Sequence, residues 1–300
     1  MNDLQQAWRG LAPNTRGVIW ALLAAVFMSV MSVLIKYMSG QLSSFEVAWF
    51  RASFGLMVVL PFVWRYGGLR AIRTRRLPMH LLRGVFAAFA MTSGFYAVSV
   101  LPLALATSLS FARPLFMVPL AIVFLHEIVR ARRWTATIVG FAGVVVAVHP
   151  TGDVNPAVFA SLFSALMVAC SLVVTKRMTD TEGPTTLMFY AGVFGTVFTL
   201  IPALMVWQTP TLTQFGFLLA IGIVGSISNN FMIRSLAAGE ATIVGPIEYV
   251  RIISSAGFGF LIFAEVPTWW MIGGSLIIVA STLYIAIREA RLGATRRRKT

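Results

Sequence analysis

Residues 241–265 read ATIVGPIEYVRIISSAGFGFLIFAE, a run about as long as a membrane-spanning helix that nevertheless carries Glu248 and Arg251 in its interior. An ionised side chain at mid-bilayer costs roughly 2.5–3.5 kcal/mol even on a lenient insertion scale, so two of them in one span need a reason. Spaced three residues apart, they fall on one face of a helix and can pair with each other. That face should look into protein or a water-filled space, and the remainder of the chain has to build the space.

The composition is that of a protein embedded in the bilayer. Of 300 residues, 58% are hydrophobic and 11% charged, and the mean hydropathy is +0.83. Stretches without Lys, Arg, Asp or Glu run from Gly17 to Ile35, Gly84 to Ala112, Val154 to Thr175, Gly183 to Ile233 and Val266 to Ile287. The fourth is long enough for two crossings, with Gln208, Thr209 and Pro210 as the turn. The pattern predicts an all-α integral membrane fold of ten helices, at 17–36, 45–64, 80–99, 103–125, 134–149, 156–175, 185–206, 212–233, 241–263 and 268–287. Residues 1–16, with Arg9 and Arg16 ahead of the first apolar run and no evident cleavage site, read as a cytoplasmic tail before a retained helix. Residues 288–300 read as a basic cytoplasmic tail.

A formal net charge of +14 invites a nucleic-acid reading, but the placement of the basic residues excludes it. With ten helices and a cytoplasmic N-terminus, every Lys and Arg except Lys36, Arg51, Arg113 and Arg251 falls on the cytoplasmic side, the asymmetry expected of a bacterial inner-membrane protein. Cys170 is the lone cysteine and sits in an apolar span, so neither a disulfide framework nor a cysteine metal site is expected.

The two halves of the chain repeat one another. VLIKYMS at 33–39 aligns with VVTKRMT at 173–179; Trp49 and Pro61 meet Tyr190 and Pro202; Ala106-Thr107 meets Ala241-Thr242; Arg113 and Glu127 meet Arg251 and Glu265. The offset drifts between 135 and 141 residues, which leaves the register of the fourth helix against the ninth open by nearly one turn. Five helices per copy is an odd number, so the copies, 17–149 and 150–287, enter the membrane from opposite sides. Inverted repeats of this kind build secondary transporters with the binding site near the midplane.

Several of these stretches together resemble the EamA-type branch of the drug/metabolite transporter superfamily. They are the Lys-ended first helix of each half, AWFRASFG (48–55), FYAVSVLPLALATSLSF (95–111), SLAAGEATIVGPIEYVR (235–251), and the helix-ending glutamates in FLHE and FAEVP. The resemblance spans nearly the whole chain and implies a ten-helix inner-membrane carrier for small organic metabolites. Members of the family export amino acids or take up riboflavin or S-adenosylmethionine. Arg113 and His126 depart from it, standing where a small or polar residue and a glycine are expected.

Counting the helical rise, Arg113 and Arg251 each lie ~16 Å inside the membrane, from opposite faces, so opposed helices bring them to one depth. Glu248 is the deep carboxylate, and with Arg51 the interior holds an excess of positive charge that a bound carboxylate or phosphate would offset. Trp49, Tyr96, Phe111 and Tyr249 flank these charges and are candidates to stack on a planar substrate. The candidate substrate-binding set is therefore Arg113, Arg251, Glu248, Tyr249, Phe111, Arg51, Trp49 and Tyr96, with Arg51 read first as a structural residue that the family shares. Pro114, Pro119 and Pro246 lie inside the two charge-bearing helices, and each removes a backbone donor, so both helices are expected to bend. Small-residue pairs such as Gly84 with Ala88 and Ala136 with Gly140 are expected to serve close helix packing. Glu248 is a candidate for a coupling proton, opposed by Arg251 beside it.

The chain carries none of the phosphate-loop, zincin or hydrolase-elbow motifs, and its histidines, His80, His126 and His149, all lie near helix ends. A carrier with no cofactor, no metal and no catalytic residues is the reading. Its expected partners are a small-molecule substrate and the lipid bilayer, as monomer or homodimer.

Overall fold

The computed structural model describes residues 11–65, 72–125, 131–149, 154–178 and 181–297. His126, Glu127 and most of the N-terminal tail lie outside them. The helices are α1 (Pro13–Tyr37), α2 (Ser44–Arg65), α3 (Leu77–Val100), α4 (Leu103–Ser110), α5 (Arg113–Leu125), α6 (Ala131–Val148), α7 (Pro156–Met178), α8 (Pro184–Met205), α9 (Leu212–Ala238), α10 (Ala241–Val244), α11 (Val250–Phe263) and α12 (Trp269–Arg297). A 3-10 turn, Gly245–Tyr249, separates α10 from α11. Taking α4 with α5 as one crossing, and the 3-10 turn with α11 as another, ten helical segments are long and apolar enough to cross a membrane.

The helices outrun their sequence-based bounds where the chain stays helical past the lipid. α9 extends to Ala238 and α12 to Arg297, where bounds of 233 and 287 were expected from the charges at Arg234 and Arg288. A charge ends an apolar run without ending a helix, since Arg and Lys are good helix formers.

The halves pack with their roles exchanged. α3 lies along α7 and α9 along α1; α1 meets α11 as α7 meets α5; α2 pairs with its counterpart α8, and α6 with its counterpart α12. This is the contact pattern of two inverted five-helix repeats about a pseudo-twofold axis. Small residues permit the closest crossings. A Cβ on Gly143 would stand 2.8 Å from Ile277, and one on Gly274 would overlap the backbone of Ala147, which brings α6 and α12 together. A Cβ on Gly84 would overlap Phe194 of α8, and one on Gly140 would overlap Ser281 of α12, as expected of packing faces. Large exposed side chains such as Ile253, Leu261, Val266 and Leu276 clothe the outside in apolar surface, the inverse of a water-soluble fold.

With ten crossings, the start of α1 and the end of α12 lie on one face, termed here the termini face; the α1–α2 turn lies on the far face. At the far face Lys36 forms a salt bridge with Glu265 and donates a 2.6 Å hydrogen bond to the Leu101 carbonyl. The other oxygen of Glu265 accepts from the Leu103 amide at 2.8 Å. The end of α11 is thereby tied to α1 and to the α3–α4 junction, joining one repeat to the other. Ala264 takes a left-handed conformation (φ 55°) that closes α11 and lets Glu265 fold back, its amide bonding the Gly259 carbonyl at 3.0 Å.

Candidate functional site

Both charge-bearing crossings are broken, the first within its span and the second at its start. In the first half, α4 ends at Ser110 and α5 starts at Arg113, with Phe111 and Ala112 in a turn between them. Pro114 cannot donate to the Ser110 carbonyl, and two prior amides, Phe111 and Ala112, bond three residues back in place of four. Pro119 sits inside α5 without interrupting it. In the second half the break is the 3-10 turn, entered at Gly245-Pro246 and holding Glu248 and Tyr249.

Glu248 lies inside that turn, and Arg251 stands two residues beyond its end, in the first turn of α11. Glu248 pairs with Arg113 of the opposite repeat, Oε1 to Nη2 at 3.6 Å, and makes no salt bridge with Arg251. At 3.6 Å the contact is an ion pair too long for a good hydrogen bond, so both groups keep hydrogen-bonding capacity. Each of the two side chains is about one-third exposed. Charge at that depth is tolerated only beside water or protein, so the exposed part of the pair requires a hydrated space next to it.

Arg251, at the second position of α11, is set deeper. Its Nε is buried with no hydrogen-bond partner, an unsatisfied donor on a charged group. Its backbone carbonyl belongs to a knot of hydroxyls: Ser29 of α1 donates to it at 3.3 Å and meets Ser254 and Ser255 at 3.2 Å, while Thr107 of α4 donates to Ser255 at 3.0 Å. These buried hydroxyls fix the crossing of α1, α4 and α11 one turn beyond Arg251. Phe111 and Tyr249 pack in a tilted arrangement beside the ion pair, with centroids 4.8 Å apart and planes 40° apart. Tyr249 donates a 2.6 Å hydrogen bond to Thr282 of α12, which orients its ring.

Five of the candidate residues thus gather around the two helix breaks: Arg113, Glu248, Arg251, Phe111 and Tyr249. The other three stand apart. Arg51 of α2 lies against Gly225 of α9, where a Cβ would overlap its guanidinium and come within 2.8 Å of Met31. Its place is a helix crossing. Trp49 belongs to an aromatic cluster with Phe50 and Trp207, at 4.8 and 5.5 Å. Tyr96 lines a far-face cavity of ≈ 420 Å3 together with Ser39, Ser43, Ser99 and Gln208. Among the described residues no cluster of His, Cys, Asp or Glu has the makings of a metal site.

The sequence reading missed the hydroxyl knot and Thr282, because serine and threonine are ordinary in apolar helices and only the crossing shows which of them converge. It also left the Lys36–Glu265 bridge unpaired. The signal was present: each is a solitary charge at the far end of its own helix.

Comparison with known proteins agrees with this architecture. The model of the EamA-like transporter family matches twice, at residues 15–148 and 155–287. The chain is 35% identical over 292 residues to the S-adenosylmethionine uptake transporter of Rickettsia prowazekii, covering 97% of each protein. It is 32% identical to the pseudopaline exporter CntI of Pseudomonas aeruginosa, over 90% of this chain and 95% of that one. To the riboflavin transporter of Rhizobium johnstonii it is 28% identical, over 97% and 98% of the two chains. A crystal structure at 16% identity superposes with a TM-score of 0.62 over 92% of this chain and 99% of that one, which shows the fold. With both halves matched and relatives named as transporters and an exporter of small metabolites, this multi-pass bacterial membrane protein belongs to the EamA-like transporter family.

Proposed function

We propose that the protein is a secondary carrier that moves a small, amino-acid-derived metabolite across the bacterial inner membrane by alternating access, with both chain ends cytoplasmic. The observation that carries this reading is the charge of the central group. Two guanidinium groups, Arg113 and Arg251, stand with one carboxylate, Glu248, and Arg251 keeps a buried donor without a partner. A substrate carboxylate meeting Arg113 or Arg251 would offset the surplus, and the loosely held Glu248 would be free to take the substrate's cationic end. Tyr249, only partly buried and tilted against Phe111, offers an apolar ring edge beside these charges to a substrate ring. S-adenosylmethionine, named for the Rickettsia relative, combines all three features and is the first substrate to try.

A second reading, uptake of a ring-bearing vitamin such as riboflavin, is favoured by the aromatic pair and by Tyr96 at the far-face cavity, and it places no demand on the arginines.

Counterflow in proteoliposomes separates the readings. Radiolabelled S-adenosylmethionine should accumulate against an internal pool of the unlabelled compound, which a channel does not support. The Arg113→Gln, Arg251→Gln double variant should lose roughly a hundredfold or more of that flux while its thermal unfolding in detergent stays near the parent's, the scale of removing two charged hydrogen-bonding partners. Unchanged flux in the double variant overturns the anion reading, and flux of riboflavin alone favours the second.

A further inference from the structure

A second buried ionisable pair lies at the termini face, far from the helix breaks. His80, in the first turn of α3, has a fully buried side chain, and neither ring nitrogen has a hydrogen-bond partner. Its Nε2 stands 3.6 Å from Oε2 of Glu182, itself only 6% exposed and located in the connection between α7 and α8. The other Glu182 oxygen accepts a 2.7 Å bond from Thr74, just ahead of α3. The imidazole rests on the ring of Tyr190 of α8 at 4.5 Å, and Tyr190 donates to the Ile72 carbonyl at 3.0 Å. His80, Thr74 and Ile72 belong to the first repeat; Glu182 and Tyr190 belong to the second.

The other charges around the pair have separate partners or stand in the open. Arg83, one turn further along α3, donates to the Leu187 carbonyl at 2.8 Å. Arg76 donates to the Arg177 carbonyl at 3.0 Å, Arg177 itself donates to the Phe124 carbonyl, and Arg65 at the end of α2 is exposed. Glu182 is therefore the carboxylate that faces His80, and Arg83 the nearby cation on its own helix.

Neutral His80 leaves two buried ring nitrogens unsatisfied and Glu182 a nearly buried anion without a cation, both costly. One added proton gives that anion a cation, since an imidazolium directs its Nε2–H at the carboxylate, while Nδ1 gains no partner. We propose that His80 and Glu182 form a proton-binding site that, when occupied, locks the two repeats together at the termini face. The proton comes from solution on that face, is held on Nε2 against Oε2, and returns to solution when the ring deprotonates. Loss of the proton strips the α3–α8 contact of its ion pair and frees the face to open. The site rests on the carrier reading only in that this face must open during the cycle; proton binding itself is measurable without any substrate.

The test uses the full chain in nanodiscs with Cys170→Ser, and spin labels at Arg75→Cys and Met188→Cys, both exposed positions flanking the pair. Pulsed electron resonance should give a longer population at pH 8 that gives way to a shorter distance as the pH is lowered. In Glu182→Gln and in His80→Gln the distribution should stay the same as the pH is lowered. Carbon-13 ring-labelled histidine in the otherwise native protein should show the His80 signal titrating at a pH at least one unit higher than in Glu182→Gln. A distance distribution that ignores pH in the parent, a pH response that survives in His80→Gln, or a His80 titration unmoved by Glu182→Gln overturns the proposal. If His80→Gln fails to fold, the labelled native protein and Glu182→Gln still decide it. Loss of counterflow with the proton response intact would instead count against the carrier reading alone.

Discussion

The two broken crossings come from repeat-related sequence, yet they break in different ways. α4 is enclosed, every residue from Leu103 to Leu109 being buried, and the crossing resumes at Arg113 after a two-residue turn. Its counterpart α10 is a single turn of helix followed by a 3-10 segment in which no residue is buried, and α11 then exposes Ile253, Phe260 and Leu261. One break is clamped by neighbours and the other is held by few. The difference teaches that the inverted repeat supplies matched positions for charge, while the local break decides which way each charge points. Arg113 opens α5, Glu248 lies inside the 3-10 turn and Arg251 follows it, so the carboxylate of one repeat reaches the guanidinium of the other.

Glu248→Gln breaks that reach most severely. With the carboxylate gone, Arg113 and Arg251 face each other's field without an intervening anion, and counterflow should fall roughly a hundredfold, the scale of losing a charged hydrogen-bonding partner. Activity within threefold of the parent would mean that the pair is packing alone. Pro246→Ala sharpens the comparison from the backbone side. Restoring an amide donor at the break lets α-helix continue from α10 and swings Glu248 off Arg113, so counterflow should drop by roughly tenfold. Pro119→Ala, in a helix that runs through its proline, should change it little, and equal losses in the two would argue against the break itself as the cause. The smallest effect is expected at the end of α11. Ala264→Gly relieves a left-handed alanine that exists to aim Glu265 at Lys36, and should raise stability by about 1 kcal/mol in detergent unfolding without altering transport.

Much of this molecule was legible in its residues. The ten crossings follow from apolar runs of membrane length, and the pairing of halves from Lys36 with Lys176 and Arg113 with Arg251. Prolines at 114 and 246 located both breaks. The salt-bridge partner of Glu248 was misread, because spacing along one helix says nothing of a residue that the opposite repeat brings nearer. Arg51 was grouped with the central charges as an intramembrane cation, and Trp49 and Tyr96 as rings flanking charged positions, but neither ground says anything about direction around the bundle axis.

The sequence by itself determined that the chain spans the membrane, how many times, and that its halves insert oppositely, since hydropathy and loop charge act on each segment separately and need no neighbour. Only the tertiary structure decided that Glu248 meets Arg113, that Lys36 meets Glu265 and that His80 meets Glu182. Those are contacts between one repeat and the other, and the direction in which a side chain leaves its helix is fixed by how two helices cross, which no single helix encodes.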